Sequence, residues 1–142
     1  MLAQLVYVSR RSETLSPEIM WEIVAKSEKA NRDRGISGAM LCCGSSIMQL
    51  LEGQPAEVER LFEKIAADAR HRDVQCLLRK SIRRRLFPEW GMMLADLDRD
   101  AKISAERLTQ LIEAVRANID TGELTVEARI LIADFKLQMD SA

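Results

Sequence analysis

Ile36-Ser37-Gly38-Ala39-Met40-Leu41-Cys42-Cys43, then Gly44-Ser45, then Ser46-Ile47-Met48-Gln49-Leu50-Leu51-Glu52, is the stretch that decides the fold. Two short apolar runs joined by a glycine-serine turn read as a β-hairpin. Gln49 is the anomaly in it, a carboxamide set among Ile47, Met48, Leu50 and Leu51. A buried amide left without partners costs on the order of 1 to 3 kcal/mol, so the fold must bring a partner to it. Strand alternation puts Gln49 on the same face as Ile47 and Leu51.

Upstream of the hairpin, Leu2 to Ser9 is rich in Leu, Val and Tyr, as a buried strand should be. Ser16-Pro17-Glu18 then gives a helix start, with serine as the cap, proline in the first turn and a carboxylate at the positive end of the dipole. That helix should run to about Asn31, with Ile19, Met20, Ile23 and Val24 on one face. Ser27 and Asn31 continue the Ile23 row at four-residue steps, which sets two polar groups on or beside the inward stripe. Gly35 stops the helix.

Downstream, Gly53-Gln54-Pro55 is a break, and Val58, Leu61, Phe62 and Ile65 mark a second amphipathic helix expected to end near Arg70. Val74 to Ile82 and Gly91 to Leu94 read as strands, separated by Arg83-Arg84-Arg85 and by Pro88. The order β-α-β-β-α-β-β predicts an α+β, ferredoxin-like sheet with two helices on one face and one added strand. From Ile103 the pattern becomes helical alone. Leu108, Leu111, Ile112, Val115 and Ile119 form one stripe, Gly122 interrupts, and Val126, Ile130, Leu131, Phe135 and Leu137 form another. Residues 1–97 are thus expected to be the main domain and 98–142 a two-helix extension or cap.

Composition narrows the function. With 142 residues the chain holds one ordinary domain and an appendage. A formal net charge of -1 offers no global field toward nucleic acid or an anionic membrane, so neither is an expected partner. The leading run Leu2 to Val8 is too short to span a bilayer and has no basic leader, which predicts a cytoplasmic protein. Three cysteines, Cys42, Cys43 and Cys76, lack metal-ligand spacing and read as apolar thiols in a reducing compartment. His71 is the single histidine, and with no second histidine or carboxylate cluster beside it no metal is expected. Nor is any nucleophile paired with a base in a recognisable motif, so an enzyme is not expected.

A ferredoxin-like skeleton carries many unrelated functions, so the polar residues on inward faces must carry the argument. Tyr7, the only tyrosine, can reach the same interior space from its strand as Gln49, and Asn31 can reach it from the first helix. A cleft there would suit a flat apolar ring with a polar edge, because an amide offers a donor and an acceptor together. Taken singly, each residue has a plainer reading. Tyr7 would be a core tyrosine, His71 a cation at a helix end, Trp90 and Met92 packing residues, and Arg83 to Arg85 a solvated turn.

Five segments in order change that balance. They are Leu5-Val6-Tyr7-Val8-Ser9, Asn31 with Gly35-Ile36-Ser37-Gly38, Met48-Gln49-Leu50-Leu51-Glu52-Gly53, Asp68-Ala69-Arg70-His71-Arg72, and Phe87-Pro88-Glu89-Trp90-Gly91-Met92. Over roughly residues 2 to 96 the chain resembles the BLUF domain family, blue-light sensors that use FAD, in a short stand-alone form. It departs from the usual pattern at Ala30, Ile47 and Gly91, where many members carry a polar residue, an aromatic residue and a serine. The resemblance implies a non-covalently bound flavin, FAD with FMN as the other choice. It also implies that Tyr7 is the photochemical electron donor, that Gln49 is the switching amide, and that Asn31 contacts the polar edge of the flavin. Ile23 and Ser27 would line the ring, Arg70 and His71 would lie near the flavin, and Trp90 and Met92 would belong to the strand that relays the signal. The C-terminal helices would then act on a downstream signalling protein or on self-association as a homo-oligomer. The alternative is a ferredoxin-like protein-interaction module without flavin or light response.

Overall fold

The computed structural model describes residues 1–88 and 93–96. Seven elements follow in chain order: β1 (Leu2–Arg11), α1 (Pro17–Asp33), β2 (Ser37–Cys43), β3 (Ser46–Gly53), α2 (Pro55–Ala66), β4 (His71–Ile82) and β5 (Met93–Asp96). They build one five-stranded sheet in the order β4-β1-β3-β2-β5. The first four strands pair antiparallel, and β5 is added parallel to β2 with Ala39 opposite Met93. The expected order and the ferredoxin-like class are both present. Trp90, Met92 and the two C-terminal helices expected over residues 98–142 lie outside the described residues.

Local chemistry fixes α1 at both ends. The Ser16 hydroxyl accepts the Ile19 N–H at 3.3 Å. At the other end Gly35 takes φ +72°, a left-handed conformation that glycine adopts without steric cost. Its N–H reaches the Arg32 carbonyl at 3.0 Å, and the Ile36 N–H reaches the Asn31 carbonyl at 2.8 Å. This pair of bonds is a Schellman closure, and it ties the backbone of Asn31 to the entry of β2.

The second helix is shorter than the sequence predicted. It ends at Ala66 rather than near Arg70. The cause is Asp68, whose carboxylate takes the Arg70 N–H at 3.0 Å while the His71 N–H closes on the Asp68 carbonyl at 3.0 Å. Such local side-chain bonds compete with the helical ladder and turn the chain. His71 therefore opens β4 instead of closing a helix, opposite Arg11 on β1. The strand also starts earlier than Val74, because Asp73 at φ 53° sits in an irregularity of the β1–β4 pairing between Val8 and Arg10.

Alternation sorts the sheet into two faces. Leu5, Tyr7, Met40, Cys42, Ile47 and Leu51 form one core with Met20 and Val24 of α1 and Val58 of α2. Val6, Val8, Leu41, Met48 and Leu50 point the opposite way and are also buried. Gly38 permits close approach of β2 to β3, since a Cβ built there would lie 1.9 Å from the Leu50 carbonyl oxygen.

Candidate functional site

Between α1, α2 and the first sheet face lies a cleft of about 250 Å³. Met20, Ile23 and Val24 of α1, Leu61 and Ile65 of α2, and Met40 of β2 give it apolar walls. Ser27, Asn31 and Gln49 bring polar groups to it, and Lys64, Asp68, Arg70 and His71 bring charged or ionisable ones. Six residues expected from sequence therefore meet around one cavity: Ile23, Ser27, Asn31, Gln49, Arg70 and His71. The seventh, Tyr7, lies directly behind Gln49.

The Tyr7–Gln49 contact follows from register. The two residues are paired across the antiparallel β1–β3 ladder, and both side chains project to the helix-covered face. The Tyr7 hydroxyl donates a hydrogen bond to Oε1 of Gln49. Tyr7 has no solvent exposure and Gln49 is 3% exposed. Burial pushes the phenol pKa far above its ordinary value, with nearby Cys42 adding to the effect, so the phenol is neutral and carries the proton that it donates. The amide stands with its oxygen toward Tyr7 and its NH₂ end directed elsewhere. The Phe62 ring lies 5.6 Å from the tyrosine ring and His71 lies edge-on at 6.3 Å, so the phenol is held on several sides.

His71 is half-buried and its Nδ1 lies 3.0 Å from the Ser9 hydroxyl. Burial lowers its pKa, partly opposed by the Asp68 carboxylate and assisted by Arg70, and the ring is neutral at physiological pH. Asp68 is pulled down to about 2, chiefly by its hydrogen bonds from Arg70. Arg70 Nε lies 3.0 Å from both carboxylate oxygens of Asp68. The turn between α2 and β4 thus presents an ion pair and a neutral imidazole at the cleft.

Several cleft residues were not singled out by sequence. Leu61 and Ile65 read only as the core stripe of α2, and Met40 only as strand filling. Lys64 carried no signal, because a lysine in the last turn of a helix is ordinary. Asp68 was visible only as part of a motif. Ser9 gave no hint of its bond to His71, which depends on β1 lying beside β4. Among the described residues there is no group of three His, Cys, Asp or Glu side chains able to hold a metal ion. Among those residues, too, no helix is long and apolar enough to cross a membrane.

The site suits a flat ligand with a polar edge. Its walls are aliphatic, its polar groups lie on separate elements, and a volume of about 250 Å³ is just below the roughly 300 to 1,000 Å³ of sites that enclose a whole drug-sized ligand. The fold and cleft define a ferredoxin-like domain with a ligand site between two helices and the sheet.

A family described as sensors of blue-light using FAD matches residues 2–93, and the chain belongs to this BLUF family. The flavin cofactor expected from sequence follows from that membership. The blue light- and temperature-regulated antirepressor BluF of Escherichia coli is 30% identical over 135 residues, 92% of this chain and 31% of that protein. The photoactivated adenylate cyclase subunit beta of Euglena longa is 28% identical over 99 residues, 68% of this chain and 12% of that one. The chain thus spans a minor part of the length of these curated relatives. Among solved structures, a bacterial light-regulated adenylyl cyclase superposes with TM-score 0.70 at 29% identity, over 94% of this chain and 36% of the other. The photo-activated state of BlsA, at 23% identity, shares the fold with TM-score 0.65 and covers 100% of this chain and 99% of its own.

Proposed function

We propose that this chain is a blue-light sensor in which Tyr7 and Gln49 form the photochemical pair and the cleft holds the isoalloxazine ring of FAD. The observation that carries this reading is the bond from the Tyr7 hydroxyl to Gln49 Oε1 beside a cleft that Gln49 itself lines. Ile23 would pack on the ring plane, Ser27 and Asn31 would meet its polar edge, and Arg70 and His71 would stand near its rim. Under blue light the bound flavin supplies a strong oxidant.

Tyr7 would give an electron and then a proton to the flavin, since an oxidised phenol is acidic, and would recover both when the pair recombines. The bond to Gln49 Oε1 is the proton's way out. Gln49 can then rotate its amide or take the imidic tautomer, and either change replaces an acceptor with a donor at that position. The hydrogen bonds around the cleft are rewritten while the covalent framework stays as it was. Burial helps here, because in a low dielectric each hydrogen bond weighs more than in water.

The signal would leave through Trp90 and Met92, which precede β5, and reach the extension over residues 98–142. Val6, Val8, Leu41, Met48 and Leu50 are buried on the sheet face opposite α1 and α2. Output would then pass to a downstream signalling protein or to a homo-oligomer, in the cytoplasm, with nucleic acid and membrane outside its reach and without turnover of a substrate.

An absorption spectrum before and after blue illumination tests the core of this reading. Yellow protein with a small, reversible red shift supports it. Protein that stays colourless and cannot be loaded with flavin returns the chain to the protein-interaction module. Limited proteolysis of residues 103 to 139 in dark and light tests the relay, and identical traces would remove it.

A further inference from the structure

Glu52 is a carboxylate with no solvent exposure, placed on the same strand as Gln49 but on the opposite face. It is held for a reason that packing alone does not give, because a buried charge is costly unless it is bonded. Its oxygens accept the Leu86 N–H at 2.9 and 2.7 Å and the Phe87 N–H at 2.8 Å. Gln4, its register partner on β1, adds a long contact from Nε2 at 3.4 Å and leaves its own Oε1 without a hydrogen bond. The two backbone N–H groups are therefore the main partners of the carboxylate.

A second fastening lies beside the first. The Arg85 guanidinium donates to the Ser37 hydroxyl at 2.8 Å, the Glu52 carbonyl at 3.0 Å and the Gly35 carbonyl at 2.6 Å. Residues 85 to 87 are thus tied to the open end of the β2–β3 hairpin. Trp90 and Met92 follow shortly in the chain, and β5 then pairs with β2 from Met93. Bonds to a carboxylate are shorter and stronger than those between neutral groups, so this tie is stiff.

We infer that Glu52 is the positioning residue that couples the strand of Gln49 to the segment leading into Trp90 and Met92. The inference rests on the reading of Gln49 as the switching amide. The carboxylate moves with β3, and a shift of β3 at Gln49 changes the bonds to Leu86 and Phe87. Because Glu52 points away from the cleft, it can alter the relay without touching the flavin.

Amide hydrogen exchange at Leu86 and Phe87 in flavin-loaded wild type, dark against steady blue light, tests the tie directly. Slow exchange in the dark and a rate changed by about five-fold in the light is the expected result, on the order of one weakened hydrogen bond. Equal rates in the two states would overturn the inference. The second measurement uses Glu52→Gln in a Trp21→Phe background, where Trp90 is the remaining tryptophan. The flavin red shift should persist while the light-minus-dark change in Trp90 emission disappears. A Trp90 response equal to that of the Trp21→Phe parent also overturns it. If Glu52→Gln does not fold, the wild-type exchange rates decide alone. A parent with no red shift at all sinks the photochemical reading itself, and the coupling with it.

Discussion

Tyr7 and Gln49 stand directly opposite each other in the β1–β3 pairing, and the phenol of one donates to the carboxamide oxygen of the other in the interior of the protein. The first prediction concerns this pair. Tyr7→Phe should retain the flavin, lose about 1 kcal/mol of stability from the missing bond, and show no light-induced red shift. Gln49→Ala should also bind flavin without shifting. Normal photocycling in both variants would disprove the assigned roles.

Asn31 closes α1 through its backbone carbonyl, and its side chain lines the cleft. Asn31→Ala should weaken flavin retention by about ten-fold, as expected for losing one or two hydrogen bonds to a ligand. Flavin remaining after gel filtration, against wild type at equal protein, measures it. Unchanged retention would remove Asn31 from the binding set.

Gly38→Ala tests the fold rather than the site. A methyl group there meets the Leu50 carbonyl at 1.9 Å, which only a shift of β2 from β3 can relieve. The expected loss is about 3 kcal/mol or more, at the upper end of overpacking costs, read as a lowered urea midpoint. A midpoint equal to wild type would mean that the hairpin has more room than its register implies.

His71 gives a pH dependence with a definite sign. Its folded-state pKa lies below the ordinary 6.5, so the unfolded chain takes the proton first as pH falls. The contribution is complete above the ordinary value and is lost from there down to the folded value. Between about pH 7.5 and 5.5, Tm should fall more steeply for wild type than for His71→Gln, which cannot titrate there. Parallel curves would refute the burial argument.

Helix faces and the seven-element succession were legible because they depend on local rules. Ser16 capped α1 as its side chain required, and Gly35 ended it through a left-handed turn. The end of α2 was misread, because Asp68 breaks the helix by bonding a backbone N–H two residues on, and an aspartate in sequence does not announce which group it will take. The start of β4 was misread for a related reason. His71 to Asp73 is polar, and its strand character comes from pairing with Arg10 and Arg11, not from its own composition.

The sequence by itself determined that polar residues would sit on apolar faces, at Asn31 on a helix stripe and Gln49 within a strand, since alternation and helical period are properties of the chain alone. It also carried, in five ordered segments, the likeness that defines the family. Only the tertiary structure decided that Tyr7 and Gln49 are register partners, that Ser9 meets His71, and that the carboxylate of Glu52 closes on the backbone of Leu86 and Phe87. Those contacts join residues far apart in the chain, and the sheet register that sets them is a collective result of packing both of its faces.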